Sequence, residues 1–131
     1  MTILYIGDYD PSGMWMSERD LPERIERYGG HYISIERIAL LRDDCDALGS
    51  RPAFNVEEKR LDPRAKWFRK TYGQLCWELD AMDPNDLRSR VEEEIKTHIE
   101  PVAWERCRIV FEAECKSMRD FLDKWPHAEN K

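Results

Sequence analysis

Residues 3–13 read Ile3-Leu4-Tyr5-Ile6-Gly7-Asp8-Tyr9-Asp10-Pro11-Ser12-Gly13, and they restrict the fold more than any other stretch of the chain. Thr2 to Gly7 is a short apolar run rich in β-formers, which predicts a strand buried on both faces, as in a parallel sheet. Two carboxylates follow at once. Side chains at i and i+2 of an extended chain point to the same side, so Asp8 and Asp10 can converge on one ion at a strand's C-terminal end, where open α/β sheets place their ligands. Pro11 cannot extend a sheet ladder, and Gly13 permits a close backbone approach where a helix begins. Magnesium accepts one or two carboxylates together with waters and phosphate oxygens, and the pair would repel each other without a cation between them. Aspartates before a helix also serve as N-caps, so capping stands beside metal binding as a reading of the same two residues.

The order of elements after this strand is that of a βαβ unit. A helix is expected from Ser12 to Tyr28, stopped by Gly29-Gly30, with Pro22 kinking it or restarting it from Asp20 as a new N-cap. His31 to Ala39 forms the second strand, completing strand–helix–strand over roughly 35 residues with a right-handed crossover. Leu41 to Leu48 reads as a short helix closed by Gly49, and Ser50 to Pro63 as a polar loop. Arg64 to Tyr72 is helical up to Gly73, and Gln74 to Leu79 is a third strand candidate. Asp83-Pro84 supplies a cap and a first-turn proline to a helix with Leu87, Val91, Ile95 and Ile99 on one face. A last helix begins at Pro101 and carries Trp104, Cys107, Phe111, Cys115, Met118, Leu122 and Trp125 at spacings of three and four. Its stripe faces a core or packs on another chain, a homodimer included. The fold class expected is therefore α/β: a small, mostly parallel sheet of about three to four strands with flanking helices, then two C-terminal helices. Residues 1–100 form the α/β domain, 101–125 a helix packing on it or on a partner, and 126–131 a frayed tail.

Composition narrows the function classes. A chain of 131 residues that is 41% hydrophobic and 37% charged builds a packed core under a charged surface. It has no apolar run long enough for a membrane span, so a soluble, cytoplasmic protein is expected. A net charge of −6 argues against a protein that coats nucleic acid, while leaving room for a local basic face. Lys59, Arg60, Arg64, Lys66, Arg69 and Lys70 supply one, interleaved with Trp67, Phe68 and Tyr72. Arg64, Lys66, Arg69 and Lys70 are the nucleic-acid-binding candidates. The more economical reading is a solvated basic face over a buried aromatic one. Cys45, Cys76, Cys107 and Cys115 have no metal-site spacing and are expected as buried free thiols.

Gly7-Asp8-Tyr9-Asp10-Pro11-Ser12-Gly13 resembles the D-x-D motif of Toprim domains, in the form followed by Pro-x-Gly found in the type VI topoisomerase A subunit and in smaller bacterial and phage relatives. Trp77-Glu78-Leu79-Asp80-Ala81-Met82-Asp83-Pro84 looks like the continuation in such bacterial proteins, and the resemblance covers roughly residues 2–100. It implies a Toprim-like fold that binds Mg²⁺ (or Mn²⁺) and acts on, or assists a partner at, nucleic-acid phosphodiesters, in the manner of a nuclease or topoisomerase. Carried over by position, Asp8 and Asp10 are metal ligands and catalytic residues. Toprim domains also place a glutamate upstream of the D-x-D strand, and only Met1 to Gly7 precedes Asp8 here. The chain is thus expected to be a fragment of a longer protein or a reduced module. Glu78, as the catalytic carboxylate, and Asp80, as a metal ligand, are the candidates to replace it.

Two rival readings remain. One is a non-catalytic module that keeps the scaffold for binding or assembly. The other is a haloacid-dehalogenase-type phosphatase fragment, with Asp8 as nucleophile and Asp10 as acid/base. An EF-hand loop starting at Asp8 fails, because its twelfth position is Arg19 where a bidentate glutamate is needed.

Overall fold

The computed structural model describes residues 1–125, and the tail expected to fray at 126–131 lies outside the described residues. The element order is α/β: β1 (Thr2–Ile6), α1 (Pro11–Trp15), a π-helical turn (Met16–Asp20), α2 (Leu21–Arg27), β2 (Ser34–Ala39) and α3 (Arg42–Leu48), followed by β3 (Phe54–Asn55), a 3₁₀ turn (Val56–Lys59), α4 (Ala65–Tyr72), β4 (Leu75–Cys76), a second 3₁₀ turn (Leu79–Ala81), α5 (Pro84–Thr97) and α6 (Pro101–Lys124). The chain divides into two compact units, Met1–Glu92 and a second that begins at Glu93. No described helix is long and apolar enough to cross a membrane.

β1 and β2 pair in parallel, from Thr2 opposite Ser34 to Tyr5 opposite Arg37, with a bulge before Ile6 meets Ala39. The βαβ unit expected from the sequence is present. The sheet differs from expectation in two ways. It has two strands instead of three or four, and β1 is only partly buried, with Ile6 exposed. The third strand candidate does not join it. Leu75–Cys76 pairs antiparallel with Phe54–Asn55, inside the stretch expected as a loop, to form a second two-stranded sheet. One bridge joins that strand to the chain beyond β1: the Tyr9 and Trp77 amides each donate to the other's carbonyl, at 2.9 and 3.0 Å. Pro11 explains the arrangement, since an apolar chain that must leave the ladder there can pair only through the residues just before it.

Between the strands, the helix meets Pro22 by widening one turn ahead of it, the usual way to accommodate a missing N–H. Asp20 is therefore not an N-cap. It has helical backbone angles, and its carboxylate accepts from Arg24 at 2.9 Å. Gly29, at φ +85°, ends the helix in the left-handed conformation open to glycine. Asp83 caps α5 by accepting from the Asn85 amide at 2.7 Å, as its position before Pro84 requires, though Ile99 falls past the helix end.

The first unit's core is a cluster of Tyr9, Met14, Leu40, Cys45, Val56, Phe68, Cys76 and Trp77. Tyr9 is its hub, meeting Phe68, Tyr72 and Trp77 edge-on at centroid distances of 5.8–5.9 Å. Phe68 is fully buried and Trp67 partly so, while Lys66, Arg69 and Lys70 are exposed; α4 is a basic face over an aromatic one. On α6, Trp104, Phe111, Met118, Leu122 and Trp125 are all more than half exposed. Cys45 and Cys76 are buried thiols, but Cys107 is exposed and Cys115 half-buried.

Candidate functional site

The segment from Gly7 to Gly13 turns out of the sheet, and Arg37 holds its shape. This arginine stands opposite Tyr5 in β2, with its guanidinium carbon 5.2 Å from the Tyr5 ring centroid. It donates to the carbonyls of Gly7 (2.6 Å), Asp8, Gly13 (3.2 Å) and Leu40 (2.8 Å), and to the Ser17 hydroxyl (3.0 Å). Burial lowers the Arg37 pKa, against the opposing influence of Tyr5 and Glu18. A guanidinium's fixed fork of donors suits this task, which a lysine could not perform. Sequence reasoning passed over Arg37. Its signal was a charge in the middle of Ile33, Ile35, Ile38 and Ala39.

Asp10 is 1% exposed and does two jobs. Its Oδ1 accepts from the Gly13 amide at 2.7 Å, capping α1, and its Oδ2 is ion-paired with Lys59. The capping reading is thus realised at Asp10. Gly13 is required for this closure, because a Cβ there would lie 2.2 Å from the Asp8 carbonyl oxygen.

Asp8 faces elsewhere. Its Oδ1 accepts from the Leu79 amide at 2.8 Å, which anchors the end of β1 to the segment after β4. Asp8, Glu78 and Asp80 line one open hollow of about 490 Å³, completed by Leu79, Met82, Pro84 and Leu87. Glu78 and Asp80 reach it because Trp77 is bridged to Tyr9, which sets the residues that follow beside those that flank Tyr9. The three carboxylates do not place oxygens within 4.8 Å of one another.

Lys59 is the cation of this acidic cluster. Burial works to lower its pKa, but the hydrogen bond and charge of Asp10, with the charges of Asp8 and Glu78, outweigh it and raise the value. The ammonium also lies 5.1 Å from the Phe54 ring centroid. Asp8 and Asp10 therefore act on one positive charge, as their i, i+2 spacing anticipates, and in this structure that charge is a side chain.

Of the basic candidates, Arg64 is paired with Asp62 at 2.7 Å and Arg69 with Glu57, while Lys66 and Lys70 are exposed on α4. None lines the hollow at Asp8. The Tyr72 hydroxyl donates to Glu18; burial and that carboxylate raise the Tyr72 pKa. No family model, curated protein or solved structure matches this chain.

Proposed function

We propose that the end of β1 is a Toprim-like divalent-cation site, for Mg²⁺ or Mn²⁺, that acts on or assists chemistry at nucleic-acid phosphodiesters. The observation that carries this reading is that Asp8, Glu78 and Asp80 share one hollow past the end of β1, while Asp8, Asp10 and Glu78 act on a single lysine, Lys59. The donor set is all oxygen, which suits a hard cation. Mg²⁺ keeps several waters and takes few protein ligands directly, so it does not require the carboxylates to converge closely. In this reading Asp8 and Asp80 would hold the ion, and Glu78 would take a proton from an attacking water. Asp10 shapes the site from behind, with Lys59 as the counter-charge that a divalent ion competes with. Such an ion would neutralise a phosphate and orient it for in-line attack. Lys66 and Lys70 on α4, with Arg64 and Arg69, are the cations offered to a phosphate backbone.

The rival reading, a non-catalytic binding or assembly module, draws on one observation: both oxygens of Asp10 are engaged, by the Gly13 amide and by Lys59. The same burial weighs against a phosphatase in which Asp10 would protonate a leaving group.

Calorimetric titration of MgCl₂ and MnCl₂ separates these readings. Asp8→Asn is expected to abolish binding, and Glu78→Gln and Asp80→Asn to weaken it about tenfold, or roughly 1.4 kcal/mol. Lys59→Met is expected to tighten it, by removing the competing cation. Metal-dependent cleavage of a labelled oligonucleotide, lost in Asp8→Asn, would establish the enzyme. Cation binding without cleavage favours the assembly module, and no binding at all overturns the site.

A further inference from the structure

The strongest feature outside this site is α6, a 24-residue helix whose apolar side chains are exposed. Trp104, Phe111, Met118 and Trp125 recur at intervals of seven, and Phe121 and Leu122 flank that line on either side. A repeat of seven is the pattern of a helix that packs lengthwise on another helix. The helix also carries a hole of the matching kind. Trp104, Cys107, Arg108 and Phe111, at i, i+3, i+4 and i+7, enclose a hollow of about 320 Å³ on the helix surface. Four residues at that spacing form the hole into which a side chain of a facing helix inserts.

We infer that α6 pairs with α6 of a second copy of this chain. Three observations favour a copy over a different partner. The same helix carries both the projecting side chains and the hole, so a two-fold pairing is self-complementary. Arg108 in the wall of the hole is already ion-paired within the helix, with Glu105 at 2.6 Å and Glu112 at 2.5 Å, so its own charge does not stand unmatched against the Arg108 of an identical face. The area is also sufficient. The six apolar side chains are 58–67% exposed. Since aromatic residues bury about 150–250 Å² each, pairing removes on the order of 1,400 Å² in total, within the range of specific protein–protein interfaces.

The full-length chain, at about 1 to 100 µM to bracket a micromolar dissociation constant, is to be measured by light scattering coupled to size exclusion. The expected mass is twice the 15.7 kDa of one chain. Phe111→Glu with Met118→Glu should give the monomer mass at every concentration while the far-ultraviolet helical signal is kept. Ile109→Glu, on the side of the helix away from the line of seven, should leave the dimer intact. A monomeric wild-type chain overturns the inference. So does a dimer that survives the Phe111 and Met118 substitutions, or one that Ile109→Glu also abolishes.

Discussion

At the scale of single residues, the site rests on close approaches that tolerate few substitutions. Gly13 is the clearest. Its backbone is helical, so its value lies in the missing Cβ, which would overlap the Asp8 carbonyl oxygen at 2.2 Å. That oxygen is backbone and is held by Arg37, so it cannot swing aside as a side chain would. Gly13→Ala is expected to destabilise the protein by about 3 kcal/mol, the upper end of the usual range for overpacked sites. A lower urea midpoint with an unchanged slope would show it. Should the variant match the wild type, the tight turn from Asp8 to Gly13 would be wrong.

At the scale of elements, α3 and α5 are fastened by a polar contact rather than by apolar burial. Arg90 of α5 binds Asp44 at 2.7 Å and the Ile38 carbonyl at 3.2 Å, and Asp44 also accepts from the Leu41 amide at 2.7 Å. Burial resists ionisation of Asp44, but the Arg90 and Leu41 hydrogen bonds outweigh it and hold its carboxyl below the ordinary range. The ionised contact therefore contributes stability that is fully present above the ordinary aspartate value of about 3.9 and is lost as pH falls through the lower folded value. Urea denaturation should lose roughly 1 kcal/mol more between pH 5 and pH 3 in the wild type than in Asp44→Asn. Equal losses in both proteins would remove Asp44 from the account.

Elements with local punctuation are legible in the sequence alone. The β1–helix–β2 unit, α3 ending at Gly49, α4 ending at Gly73 and the Asp83-Pro84 start of α5 each carry their own signal within a few residues. Elements defined by what they meet are not. Phe54–Asn55 is too short to show a period, and it becomes a strand only because Leu75–Cys76 lies beside it. The stripe on α6 is evident from its spacing, but a stripe of that kind does not say what covers it. At the site, the i, i+2 spacing of Asp8 and Asp10 points to a shared positive charge, but not to the pairing with Lys59 or the backbone contacts of Arg37. Each joins the cluster from a distant part of the chain, at separations of 49 and 29 residues.

On the scale of the whole molecule, the four cysteines report on the two units separately. Cys45 and Cys76 lie in the first unit's core with no exposed surface, and burial pushes their thiols up to about 11 and about 12. Cys107 is exposed and Cys115 half-buried, both on α6. Ellman's reagent at pH 8 should titrate Cys107 and Cys115 without denaturant, and Cys45 and Cys76 only as the first unit opens. If α6 pairs with a second copy as inferred above, the rate at Cys107 should fall as protein concentration rises. Fast reaction of all four thiols in the absence of denaturant would contradict the first unit's packing.

The hydrogen bond from the Leu79 amide to Asp8 spans 71 residues of sequence, and the Tyr9–Trp77 bridge beside it is a single pair of bonds. In terms of chain closure, the two walls of the hollow differ. β1 pairs with β2 across 32 residues, Thr2 opposite Ser34, less than half the separation of Asp8 from Leu79. The Glu78 wall closes the longer loop, a closure it shares with Phe68 of α4 packed against Tyr9. Longer closures are expected to form later, so a cation bound there should act mainly on the unfolding rate, as a clasp on a finished structure rather than a seed for it.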